Sequence, residues 1–69
     1  MLTMQDVQDV MGKWEQTKER AEQHDFPFIL FWDMRIAPLY EDLKVNWTEE
    51  HARKLINGVN LIVQKLGYV

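Results

Sequence analysis

The chain has 69 residues, of which 46% are hydrophobic, and its formal net charge at pH 7 is −3. This length accommodates one small domain, spanning residues 1–69, and the apolar fraction is too high for a disordered chain. The acidic balance argues against nucleic acid as a partner, and no apolar run approaches the ~18 residues of a membrane span, so we expect neither a nucleic acid nor a membrane to be bound.

The first predicted element is an amphipathic helix over residues 3–23. Thr3 is a suitable N-cap, and Asp6 follows three residues later, as in a variant of the capping box. At 100° per residue the apolar side chains fall on one stripe about 120° wide. Lys18 shares that stripe, where its aliphatic stem can cover apolar surface while its amine reaches water. The stripe comprises Met4, Val7, Val10, Met11, Trp14 and Ala21.

The middle segment, residues 26–47, contains all three phenylalanines and two of the three tryptophans. One interpretation is a helix over 27–37 that Pro38 ends, followed by a loop over 40–46. The other is a strand over 28–36 paired with a short strand through 43–47, which gives a helix–β-hairpin–helix fold. We favour the helix, because the flanking elements are helical and the early Pro27 suits a helix start. Its inward stripe is Phe28, Ile29, Trp32, Ile36, Leu39 and Leu43.

The last predicted element is a helix over residues 49–66. Thr48 is its N-cap, and Glu49 and Glu50 oppose the positive end of the helix. The Asn57-Gly58 pair is compatible with a hairpin turn, but seven apolar residues at helical spacing favour a helix with a glycine in its interior. Those seven residues are Ala52, Leu55, Ile56, Val59, Ile62, Val63 and Leu66. The predicted fold class is therefore all-α, a small three-helix domain.

Side chains suited to catalysis or metal binding are scarce. The chain has no serine and no cysteine, so the two commonest nucleophiles are absent. Its glycines are too scattered for a phosphate-binding loop, and His24 and His51 are too far apart in sequence to suggest a metal site. We predict no catalytic residues, no metal site, no cofactor and no enzymatic activity. The lack of cysteine fits a reducing compartment, and we predict a cytoplasmic location.

A helix-turn-helix-like DNA-binding regulator is the alternative function. The polar side of the last helix carries the residue types that such a protein uses for base and phosphate contacts. The rest of the chain is acidic and lacks basic arms, so we rank this alternative second. The side chains concerned are Arg53, Lys54, Asn57, Asn60, Gln64 and Lys65.

The surplus of apolar side chains in the middle segment favours a protein–protein interaction function. A helix over 27–37 would carry a second apolar stripe that two flanking helices cannot cover. A two-fold contact between copies would bury it, so we predict a homodimer whose interface contains Phe26, Leu30 and Met34. Aromatic and arginine side chains dominate interface energies. We therefore predict that a protein partner, of unknown identity, binds at Phe31, Arg35, Tyr40 and Trp47.

Overall fold

The computed structural model of the chain describes residues 1–21 and 26–66, which form three α-helices and contain no strand. Helix α1 is Met4–Ala21, α2 is Phe26–Val45 and α3 is Glu49–Leu66. The all-α prediction is confirmed, and the helix–β-hairpin–helix alternative is not supported. Helix α3 packs against both other helices more extensively than they pack against each other.

Both predicted N-caps form as expected. The Thr3 backbone N–H donates to Asp6 Oδ2 at 2.8 Å, and the Asp6 N–H donates back to Thr3 Oγ1 at 3.3 Å. At the start of α3, Thr48 Oγ1 accepts a hydrogen bond from the His51 N–H at 3.2 Å. Because these side chains satisfy amide groups that lack a partner within the helix, they fix where α1 and α3 begin.

The core lies where the predicted stripes of the three helices meet. Trp14 of α1 is fully buried, as is Val59 of α3. The stripe of α3 is confirmed: five of its residues are buried, and Ile56 and Leu66 pack partly against them. One buried residue, Thr17, was not predicted. Its buried hydroxyl is satisfied because Oγ1 donates a hydrogen bond to the Lys13 carbonyl at 2.8 Å. The buried apolar residues are Val7, Val10, Met11, Trp14, Ile29, Ile36, Leu43, Ala52, Leu55, Val59, Ile62 and Val63.

Helix α2 does not end at Pro38, and this corrects the predicted loop over 40–46. The helix continues to Val45, and only residues 46–48 connect it to α3. Proline lacks the N–H that would bond the Met34 carbonyl, which costs about 3 kcal/mol in a helix interior. Pro38 is exposed, so water can reach that carbonyl, and Leu43 beyond it is 1% exposed. Burying Leu43 contributes about 1.5–3 kcal/mol, enough to offset much of the cost.

Candidate protein-binding face

An apolar surface runs along α2 on the side opposite its buried residues. Its residues are exposed, with 52% of Phe31, 70% of Met34 and 80% of Val45 accessible. They are spaced alternately four and three residues apart, the spacing of a coiled-coil seam, with Glu41 as its one polar position. We call this surface the outer face; it consists of Pro27, Phe31, Met34, Pro38 and Val45.

Aromatic and cationic groups lie together beside the outer face. The Arg35 guanidinium carbon is 4.7 Å from the centroid of the Phe31 ring and 5.8 Å from that of Trp32. The Phe31 and Trp32 rings meet edge to face at 5.7 Å, and Phe28 contacts Trp32 in the same manner at 6.4 Å. Such contacts hold Arg35 against an aromatic surface and leave it exposed, which suits a contact residue.

The structure brings together only some of the residues predicted to bind partners. Phe31 and Arg35 are adjacent, whereas Trp47 lies in the turn after α2 and is 39% exposed. Tyr40 lies on another side of α2, packed partly against the core with the Lys44 amine 4.5 Å above its ring.

Two of the three predicted dimer residues lie on the surface of α2, and the side chain of the third is not described. Leu30 and Met34 are exposed, and Phe26 begins α2, although its side chain lies outside the described part. The prediction did not include Pro27, Pro38 or Val45, although their seam spacing is visible in the sequence once α2 is taken to extend past Pro38. Phe28, predicted to point inward, is 40% exposed, because it lies on the flank rather than the centre of the inward stripe.

A polar cluster joins α2 to α1 and contributes to which side of α2 faces outward. The indole N–H of the buried Trp14 donates to Asp33 Oδ1 at 2.9 Å. The Lys18 amine lies 3.1 Å from the same oxygen and 3.0 Å from Glu15 Oε1. Burial at this position lowers the pKa of Lys18, but hydrogen bonds to Glu15 and Asp33, and their charges, outweigh it, so the net shift is upward.

A second surface feature is a groove of about 410 Å³ between α2 and α3. Its floor is apolar, and its rim carries Arg35 and Lys54. Gly58 lies on the groove, and a Cβ atom built there meets nothing within 4 Å, so no neighbouring helix requires glycine at this position. The lining residues are Trp32, Arg35, Ile36, Leu39, His51, Lys54, Leu55, Gly58 and Ile62.

Metal-binding and membrane-spanning features are absent from the part of the chain that the structure describes. Within residues 1–21 and 26–66, no three His, Cys, Asp or Glu side chains lie close enough to hold a metal ion. None of the three described helices is both long and apolar enough to cross a membrane.

Comparison with known proteins gives no family to which the chain could be assigned: no family model, curated protein or solved structure matches it.

Proposed function

We propose that the protein acts without catalysis, by stoichiometric binding of a protein, and that it functions as a homodimer joined through the outer face of α2. The observation that carries this proposal is the exposure of Phe31 and Met34 in one apolar stripe, flanked by the exposed Pro27 and Pro38. Exposed apolar surface of this kind is a liability unless another surface covers it.

A second copy of the chain fits the outer face in an antiparallel orientation. If two α2 helices cross between residues 32 and 33, Phe31 of each copy packs on Met34 of the other, and Pro27 packs on Pro38. The flanking Arg35 of each copy then lies beside Phe28 of the other, a cation–π pair. A parallel, in-register pairing would instead place Glu41 opposite Glu41, which is unfavourable. Charge therefore favours the antiparallel homodimer, a closed two-fold arrangement that covers the stripe with its own copy.

The protein partner would bind beyond this contact. Trp47 remains outside the paired segment, in the turn that follows α2. Its exposed ring, duplicated by the two-fold axis, offers one contact point at each end of the antiparallel pair. Tyr40, which is partly buried beneath Lys44, would contribute only at the edge. We therefore expect Trp47→Ala to weaken capture of a partner and to leave the dimer intact.

Sedimentation velocity over about 1 μM to 1 mM protein tests the dimer, because this range covers interfaces of roughly −8 to −4 kcal/mol. We expect the wild-type mass to rise from 8.3 kDa toward twice that value. Met34→Asp should remain a folded monomer, since Met34 makes little contact within its own chain. Leu61→Asp is the matched control, because Leu61 is 66% exposed and lies on α3; it should still dimerise.

Two results would overturn the proposed dimer. A wild-type chain that stays monomeric up to about 1 mM would exclude a useful self-affinity. A Met34→Asp chain that dimerises as well as the wild type would place the contact elsewhere on the molecule.

A further inference from the structure

We propose that the groove between α2 and α3 binds an apolar monoanion, an aliphatic or aromatic carboxylate whose hydrocarbon part lies between the helices. This site shares only Arg35 with the proposed homodimer contact, because the groove opens toward α3 and the outer face of α2 points away from the core. Its volume of about 410 Å³ falls within the range of ~300–1,000 Å³ found for small-molecule sites.

The floor of the groove would hold the hydrocarbon part. Ile36 of α2 and Leu55 of α3 are buried beneath it, and Leu39 and Ile62 form its walls. The groove stays open at Gly58, since even a Cβ atom there would contact nothing within 4 Å. A ligand chain in this space would bury apolar surface that the folded protein leaves uncovered.

The cationic side chains at the rim of the groove would favour a ligand with a negative charge. The whole chain has 11 acidic and 8 basic residues, yet the groove is lined by Arg35, Lys54 and His51 and by no carboxylate among the described residues. Lys54 forms no ion pair within the described part. One carboxylate approaches this end of the groove, with Asp42 Oδ2 4.0 Å from His51 Nδ1. Lys54 is thus an exposed cation next to apolar surface, which favours a ligand with one negative charge at its end.

Trp32 gives a further reason to expect an acceptor from outside the chain. Its ring lines the groove, and its indole N–H is buried without a hydrogen-bond partner among the described residues. Buried donors are nearly always satisfied, so an unpaired one requires an explanation. Because the nitrogen itself is buried, a carboxylate oxygen in the groove would supply the missing acceptor only after a rotation of the Trp32 ring that turns its N–H toward the ligand.

Titration of the labelled full chain with octanoate, followed by amide chemical shifts, tests the proposal. Octylammonium serves as the matched probe, because it has the same number of carbon atoms and the opposite charge. We expect saturable shifts at Lys54 and Gly58 with octanoate and an affinity at least about tenfold lower for octylammonium, the effect of reversing one charge near a cation at the protein surface. Equal shifts with both probes, or none with octanoate, would overturn the proposed site.

Two pairs of variants locate the site without depending on the dimer. Gly58→Leu should fill the groove and abolish octanoate binding, whereas Gly12→Leu should not, although both glycines are helical and have open space around them. Lys54→Gln should weaken binding about five- to tenfold, and Lys13→Gln, on α1, should leave it unchanged. Arg35 is left intact, because it also flanks the outer face. If Gly58→Leu binds octanoate as Gly12→Leu does, the groove is not the site, whatever the oligomeric state.

Discussion

Replacing Leu43 by alanine tests the part of the fold that the sequence did not predict, the continuation of α2 beyond Pro38. Leu43 is 1% exposed in the core, and truncating such a leucine costs about 2–5 kcal/mol. A chain of 69 residues has a total stability of roughly 3–10 kcal/mol, so the variant would lose a large share of it. Were residues 40–46 a solvated loop, the same change would cost no more than about 0.5 kcal/mol.

Urea unfolding followed by far-UV circular dichroism measures this difference. Unfolding should be measured at low protein concentration, so that self-association does not add to the free energy of unfolding. Val45→Ala is the matched control, because Val45 lies two residues further along the same helix and is 80% exposed. We expect Val45→Ala to change stability by less than about 0.5 kcal/mol. A Leu43→Ala cost as small as that of Val45→Ala would refute the packing of the last turns of α2.

Four further changes have expected outcomes that the same unfolding assay checks. Gly58→Ala should stabilise the chain by about 1 kcal/mol, because the added methyl meets open space and alanine favours helix; destabilisation would show that the groove is closed. Thr48→Ala should cost about 1 kcal/mol through the lost N-cap, and no loss would place the start of α3 elsewhere. Pro38→Ala should stabilise by up to about 3 kcal/mol by restoring the helical bond to the Met34 carbonyl; a loss would mean that the proline ring makes a contact the helix needs. The pKa of Lys18 is raised above 10.5, so its ion pairs stabilise fully below about pH 10 and are lost as the pH rises through the folded-state pKa. Wild-type stability should therefore fall more steeply than that of Lys18→Met in this alkaline range, and identical slopes would contradict the ion pairs.

The first and last helices, α1 and α3, were predictable because each carries a single apolar stripe with an N-cap at its start. Val7 and Trp14 of α1 and Leu55 and Val59 of α3 are buried as their spacing indicates. The caps could be read directly, because a threonine at the N-cap position satisfies an amide that the helix itself leaves unpaired. Local sequence therefore determines both where these helices begin and which side faces the core.

The middle helix was harder to predict because local rules and tertiary packing disagree there. Pro38 is a helix breaker by local rules, but the burial of Leu43 carries the helix past it. The helix is also apolar on most sides, so hydrophobicity alone does not distinguish its core side from its outer face. The contact of Trp14 and Lys18 with Asp33 contributes to that choice, and such a contact joins residues of two helices that no single stripe relates.

The most direct test of the proposed outer-face homodimer is an isotope-filtered NMR experiment on a mixture of labelled and unlabelled chains. It detects only proton pairs that lie close together across the contact between two copies. The antiparallel outer-face homodimer predicts intermolecular contacts between the Phe31 ring and the Met34 methyl group, and between Pro27 and Pro38. A dimer that lacks these contacts, or whose intermolecular contacts centre on Leu61 of α3 instead, would contradict it.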